Sequence, residues 1–228
     1  MKPAQFEFAD LSGGYGDVNI LNRISGQVSS GEVLGIFGRN GVGKTTLARM
    51  LAGSIPATTG AIVMNGVTVT HHEAFARRRM GLGYMSQTSM VFDNLSVREN
   101  LSLAKNDIGI MELFAMFPIL ANRQNQLAGS MSGGERKILA FARIMLEETQ
   151  VIILDEPSEG VQPENIAHME KCITDRCERG HGVILIEQNL NMLMNLSDRY
   201  IGLDSGNPVY SGSSEEATRE HLLEVLLV

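Results

Sequence analysis

The chain has 228 residues, a formal net charge of −7, 43% hydrophobic residues and 20% charged residues, an ordinary globular make-up with room for one large domain or two small ones. The acidic balance argues against nonspecific nucleic-acid binding and against a basic anchor on anionic lipid. The N-terminal Met1-Lys2-Pro3-Ala4-Gln5 carries no apolar signal region, and no run approaches the ~18–20 apolar residues of a membrane span, so a cytosolic chain is expected, reaching a membrane only through a protein partner.

Residues 5–30 read as short strands broken by turn residues, with Ser12-Gly13-Gly14-Tyr15-Gly16-Asp17 the clearest turn cluster. Val33-Leu34-Gly35-Ile36-Phe37 is an apolar run expected as a buried strand. A Gly-rich loop follows, then a helix with Leu47, Met50 and Leu51 on one face and Gly53 just beyond its end. Ile62-Val63-Met64 with Asn65-Gly66 predicts a hairpin over 60–70. From about 95 to 128 strand signals vanish, and helices are expected over Val97 to Leu103 and Met111 to Leu120. Ser132 to Leu146 is a further helix. Val151-Ile152-Ile153-Leu154 and Val183-Ile184-Leu185-Ile186 read as buried strands, separated by a helix starting at Pro163 and ending near Gly180. A hairpin is expected around Asp204-Ser205-Gly206-Asn207, and an amphipathic helix over Glu215 to Leu227. Cys172 and Cys177 fall in a helical pattern without His or Cys partners, a poor metal spacing, and read as packing residues in a reducing compartment.

Apolar strands alternating with helices predict an α/β fold with a mainly parallel sheet, whose ligands bind beyond the carboxyl ends of the strands. The Gly-rich loop falls there. Gly38-Arg39-Asn40-Gly41-Val42-Gly43-Lys44-Thr45 fits G-x-x-x-x-G-K-[ST] in full, between a strand and a helix. Glycines let the backbone wrap phosphates closely, and inward N–H groups and the helix N-terminus supply positive ends. Gly38, Asn40, Gly41, Gly43, Lys44, Thr45 and the adjoining Thr46 are therefore the expected ATP contacts. Lys44 reaches the β- and γ-phosphates, and the Thr45 hydroxyl is a ligand for Mg²⁺.

A phosphate loop alone does not imply hydrolysis. The strand Val151 to Leu154 runs into Asp155-Glu156. An Asp at such a strand end holds Mg²⁺ in phosphate-loop enzymes. Strand alternation aims Glu156 elsewhere, where it fits a general base for the attacking water. Farther along, Met131-Ser132-Gly133-Gly134-Glu135 precedes a helix. On that segment alone, Ser132 and Glu135 read as a capping box.

The order of Tyr15, the phosphate loop, Gln87, Ser132-Gly133-Gly134, Asp155-Glu156 and Gln188 resembles the ATP-binding subunits of ABC transporters over essentially the whole chain. The resemblance implies a phosphate-loop NTPase (RecA-like) core with a small antiparallel β subdomain over about 1–88 and 147–228. A helical subdomain would occupy about 89–146. It implies that Tyr15 stacks on adenine and that Gln87 senses Mg²⁺ and the attacking water. Ser132, Gly133 and Gly134 would then face the γ-phosphate of ATP bound to a second subunit, so that two sites form in a head-to-tail dimer. Phe117-Pro118, Arg123, Gln126 to Gly129, Asp155 to Gly160 and Ile186 to Asn189 resemble the branched-chain amino-acid and urea uptake group; Val161-Gln162-Pro163 is closer to its urea-type members. Implied partners are integral-membrane permease subunits, a second ATPase subunit and, indirectly, an extracytoplasmic solute-binding protein. The implied cargo is a small polar solute, and the implied location is the inner face of the cell membrane.

The pattern is broken in places. Gln188 stands where most ABC ATPases have His; an amide can hydrogen-bond a phosphate or water but cannot carry a proton. Arg136-Lys137 replaces the usual Gln-Gln, and two cations in a helix's first turn oppose its dipole. They contact a partner or its nucleotide, or are solvated. Met111, Leu113, Phe114, Met116 and Phe117 make either a small core or a groove for a permease helix. A soluble ABC protein acting on DNA or ribosomes is the competing class, against which stand the acidic charge and the lack of a second cassette, long coiled-coil arms or zinc modules. A weakly hydrolysing regulatory subunit is the third reading.

Overall fold

The computed structural model describes residues 4–88, 91–104 and 107–227. Two sheets organise it. The smaller is antiparallel, with β1 (Ala4–Tyr15) between β2 (Val18–Ser29) and β4 (Thr59–Met64), and β5 (Val67–Thr68) outside β4. Here the sequence expectation needs correction. Residues 5–30 form two 12-residue strands rather than several short ones. Ser12 to Tyr15 lie inside β1, where register shifts between Phe8 and Gly14 absorb the glycines as bulges. The turn proper is Gly16-Asp17. Asn65 and Gly66, at φ 49° and 76°, close β4 onto β5 as an Asn-Gly hairpin should.

The larger sheet has six strands in the order β10-β9-β3-β8-β7-β6. These are β3 (Val33–Phe37), β6 (Leu82–Met85), β7 (Val151–Asp155), β8 (Gly182–Ile186), β9 (Arg199–Asp204) and β10 (Asn207–Ser213). All pairings are parallel except β9 with β10. β3, β7 and β8 are buried at every position, which is why they are continuous apolar runs rather than alternating ones. Their alternate residues feed two cores. Leu34, Ile36, Ile153 and Ile184 pack with Leu47, Met50 and Leu51 of α1 (Lys44–Leu51) and with Phe6, Phe8 and Leu11 of the antiparallel sheet. Phe37, Ile152, Leu154 and Leu185 pack on the opposite face with α6 (Gly133–Leu146) and α7 (Pro163–Glu178).

α2 (Ala74–Arg79), α3 (Val97–Ser102), α4 (Asp107–Met116) and α5 (Pro118–Ala121) lie between these landmarks in sequence. The continuous helix expected over 111–120 is broken at Phe117, because Pro118 disfavours helical geometry in the residue before it and has no N–H to continue the ladder. Leu113, Phe114 and Phe117 are buried in the same core as Phe141, and Met111 is exposed. The apolar cluster is thus largely internal packing. α8 (Leu190–Leu196), capped by the Asn189 side chain, follows β8, and the last helix, α9 (Arg219–Leu227), starts later than the expected Glu215.

Candidate nucleotide site

Four adjacent parallel strands deliver the chemistry. β3, β8, β7 and β6 end side by side, with Ile36 beside Ile186, Asp155 beside Ile186 and Met85 beside Leu154. The phosphate loop, Gln188, Asp155-Glu156 and Gln87 therefore emerge from one edge in that order. This convergence is a property of the topology; the sequence separation between Gln87 and Gln188 does not reveal it.

The loop leads into α1 through Gly43, which caps the helix at φ 108°. A Cβ there would sit 2.8 Å from Leu21 Cδ2, in a backbone conformation that L side chains rarely adopt. Lys44 is the first helical residue and is almost wholly buried. Its Nζ donates to the carbonyls of Gly38 and Arg39, both at 2.9 Å, and pairs with Glu156 Oε1 at 3.2 Å. Asn40 Oδ1 accepts from the Gln188 amide.

Glu156 collects the site's donors. Besides Lys44, Gln188 Nε2 lies 2.9 Å from its Oε1 and Gln87 Nε2 lies 2.8 Å from its Oε2. β7 ends at Asp155, and Glu156 follows with φ 51°. The divergence of the two carboxylates expected from strand alternation thus comes from a left-handed backbone turn. Asp155 faces the other way, accepting from Thr45 Oγ1 at 3.3 Å and Tyr84 OH at 3.4 Å. Burial pushes its carboxyl up to about 6, and the neighbouring charge of Glu156 adds to this against the Thr45 and Tyr84 hydrogen bonds. Thr46 is buried next to Thr45. Thr45 and Asp155 together are a hard oxygen set, one of them an ionisable acid buried without a direct cationic partner in the described contacts, and this fits a small divalent cation.

Tyr15 is 42% exposed at the end of β1, and its hydroxyl accepts from Arg49 at 3.1 Å. Ser132 accepts from the Glu135 N–H while Glu135 accepts from the Ser132 N–H, so the capping box is formed. Ser132, Gly133 and Gly134 head α6. Gly133 and Gly134 border a cleft with Gln87, Lys137, Glu159 and Gly160 that does not include the phosphate loop.

Arg136 and Lys137 do not share one fate. Arg136 is partly exposed, 4.0 Å from Asp93. Lys137 is buried, correcting the solvated expectation, and donates to the Glu156 carbonyl at 3.1 Å and to Glu159 at 3.2 Å. The sequence holds a signal for this: Lys137 lies on the stripe of Ala140, Phe141 and Ile144, at helical spacing 3, 4 and 7. Glu187, inside the Ile186 to Asn189 stretch, is a further residue to which the sequence pattern assigns no role. It is buried and accepts from the N–H groups of Ser158 (2.8 Å), Gln188 (2.9 Å) and Asn189 (3.1 Å), tying the segment after Glu156 to the end of β8.

A complete phosphate loop at the central strand of a mainly parallel sheet, with an acid ending a nearby strand, defines a phosphate-loop nucleotide hydrolase. The chain belongs to the ABC transporter family, whose sequence profile matches residues 21–159. It is similar to the high-affinity branched-chain amino acid transport ATP-binding protein BraG of Pseudomonas aeruginosa, with 34% identity over 89% of this chain and 90% of that protein. It is also similar to the lipopolysaccharide export system ATP-binding protein LptB of Haemophilus influenzae, with 30% identity over 92% of this chain and 91% of that one. A solved ATP-binding subunit of an ABC transporter superposes with a TM-score of 0.85 at 24% identity, over 98% of this chain and 100% of that one. The chain is thus an ATP-binding ATPase subunit. No helix among the described residues is long and apolar enough to cross a membrane.

Proposed function

We propose that this chain powers uptake of a small polar solute, of the branched-chain amino acid, urea or short amide type, hydrolysing ATP at a head-to-tail interface with a second ATPase subunit. The observation that carries the catalytic part is the Glu156 carboxylate, held by Lys44, Gln87 and Gln188 beside the phosphate loop at 2.8–3.2 Å. Glu156 accepts a proton from water as that water attacks the γ-phosphorus. The bond to the β–γ bridging oxygen breaks, leaving ADP and phosphate. Lys44 leaves the Gly38 and Arg39 carbonyls for the β- and γ-phosphates. Gln188 orients Glu156 and the water by hydrogen bonding, without proton transfer. Tyr15 stacks on adenine; Asn40, Gly41, Gly43 and Thr46 contact phosphates through the loop and helix N-terminus. Thr45 and Asp155 would hold Mg²⁺, and Gln87, hydrogen-bonded to Glu156, would sense the ion and the attacking water. When bound, that ion neutralises charge on the phosphates.

Ser132, Gly133 and Gly134 cap the site of the second subunit, which explains why they stand apart from this chain's own loop. Permease subunits dock at the groove lined by Phe75, Arg78, Tyr84, Met85, Ser86 and Arg143, which adjoins Gln87 and carries the exposed Phe75. An extracytoplasmic solute-binding protein completes the system, and the chain sits on the inner face of the membrane through the permease. The similarity to LptB supports export as a second reading.

Glu156→Gln tests the catalytic assignment. ATP binding should persist, turnover should fall at least about a hundredfold, and an ATP-bound dimer should accumulate on size-exclusion chromatography. Normal turnover would remove Glu156 from its role. Co-purified membrane subunits, reconstituted with radiolabelled leucine or urea, separate uptake from export.

A further inference from the structure

Lys137 is a charged side chain on the buried stripe of a helix, 6% exposed, and nothing in the phosphate-loop chemistry accounts for it. Burying an ammonium is costly unless it is paired and hydrogen-bonded. Its two partners are both in the segment that follows β7: the Glu156 main-chain carbonyl at 3.1 Å and the Glu159 carboxylate at 3.2 Å.

The choice of carbonyl matters. Glu156 is a non-glycine residue at φ 51°, a conformation that persists only where the surroundings enforce it. Its peptide N–H is fixed to the Ile186 carbonyl at 2.8 Å, and its own carbonyl is fixed by Lys137. β8 therefore holds one side of the turn and α6 the other. The carboxylate direction toward Lys44, Gln87 and Gln188 depends on both. A second contact joins the same two segments. A Cβ on Gly134 would stand 2.4 Å from the Gly160 carbonyl oxygen, so the start of α6 and the 159–160 turn meet backbone to backbone. Gln87 also reaches Glu159 at 3.5 Å, which places it in the same network.

We propose that Lys137 is a positioning residue that couples the Ser132-Gly133-Gly134 end of α6 to the Glu156 carboxylate of the same chain. This rests on the reading of Glu156 as the base and of the head-to-tail pair. In that pair, Ser132 to Gly134 face the nucleotide bound by the partner, whereas Glu156 faces the chain's own nucleotide. Lys137 thereby ties engagement of one ATP to alignment of the base for the other.

The test measures ATP binding, steady-state kcat and KM, and thermal melting of the full chain carrying Lys137→Met, Lys137→Gln or Lys137→Arg. Lys137→Met keeps the length and apolar stem but removes the donor. It should lower kcat about tenfold while leaving ATP affinity and KM within about twofold, and Lys137→Arg, which can donate to both partners, should recover most of the rate. If the Met variant does not fold, Lys137→Gln takes its place. A full kcat in the charge-free variant overturns the proposal. So does a lost rate accompanied by equally lost affinity, or one that Arg does not rescue, since mere packing would show these. Glu156→Gln is the control: if it turns over normally, the base assignment has failed. If it is inactive while Lys137→Met is fully active, only the coupling has failed.

Discussion

The Gln188 amide nitrogen lies 2.9 Å from Glu156 Oε1 and also meets Asn40 Oδ1, so one side chain bridges the end of β8, the turn after β7 and the phosphate loop. An imidazole at this position would invite a proton-relay role, but the amide cannot take one. It holds the carboxylate, and on the proposed mechanism it would also hold a water or phosphate oxygen once nucleotide is bound. Gln188→Ala should therefore lower kcat by about ten- to a hundredfold with ATP affinity within a few-fold, the cost of one directed donor. The wild-type pH–rate profile should carry no limb from residue 188, whereas Gln188→His should gain one near pH ~6.5. A Gln188→Ala protein turning over at the wild-type rate would remove this bridge from the mechanism.

Asp155 is a carboxyl in the wrong place for a stable nucleotide-free protein. Burial raises its pKa to about 6, above the value of 3.8 expected of a free side chain. The sign follows: a raised carboxyl pKa favours the folded state at acid pH, and that advantage is lost as pH rises through about 6. At pH 7.5 the ionised group works against folding until a cation shares the site. Asp155→Asn keeps an acceptor for Thr45 and removes the charge. Without nucleotide and in chelator it should be more stable by about 1–2 kcal/mol, raising Tm by roughly 2–6 °C. The same variant should lose Mg²⁺-dependent hydrolysis. A Tm gain that is as large at pH 4.5 as at pH 7.5 would contradict the electrostatic cause.

What can be read from the sequence follows a physical division. β3, β7 and β8 are central parallel strands buried on both faces, so their neighbours impose a local composition, and the apolar runs report them directly. The phosphate loop likewise needs its glycines locally. β6 escapes because it is four residues at the sheet edge, containing Gly83, and exists through its pairing with β7. α2 and α8 are too short for a helical period to register. β1 misleads because its bulges carry glycines that in isolation signal a turn. Lys137 misleads by its charge, although the spacing of α6 already places it inward. The placement of Gln87 beside Glu156 cannot be read from local pattern at all, because it depends on two strands meeting.

The two cysteines should be chemically quiet. Burial pushes the Cys172 and Cys177 thiols up to about 12, helped by the charges of Asp175 and Asp198 respectively. A thiol so displaced is neutral across pH 6–9, and at pH 8 only about one part in 10⁴ is the reactive thiolate. Native protein at pH 8 should therefore take up iodoacetamide at neither position over an hour, whereas unfolding in urea exposes two reactive thiols. The residual native rate should keep rising with pH up to about 11 rather than levelling off near 9. Rapid labelling of folded protein would show that α7 is packed less tightly than described.

Arg77 is the most consequential charged residue outside the site. It is 1% exposed, and its guanidinium donates to the carbonyls of Met50 (2.8 Å), Leu51 (2.7 Å), Thr70 (2.9 Å) and His72 (2.9 Å). Met50 and Leu51 are the last residues of α1, whose C-terminal carbonyls have no partner within the helix. A cation at that end also suits the helix dipole. Burial lowers the guanidinium pKa to about 10, so Arg77 stays charged at neutral pH. Arg77→Met would strand the buried carbonyls of Leu51 and Thr70, at roughly 1–3 kcal/mol for each that water cannot reach, and would leave Met50 with only the Gly53 N–H at 3.1 Å. A loss of about 3 kcal/mol or more is expected from urea unfolding. A lysine side chain offers a point charge rather than a fork, so Arg77→Lys should recover less than half of the loss. Because α1 begins with Lys44 and Thr45, loosening its far end should also weaken ATP binding several-fold in whatever protein remains folded. Urea midpoints combined with ATP titration separate the two effects. A stability loss with fully native ATP affinity would mean that the phosphate loop is held by the strand before it and not by the helix after it.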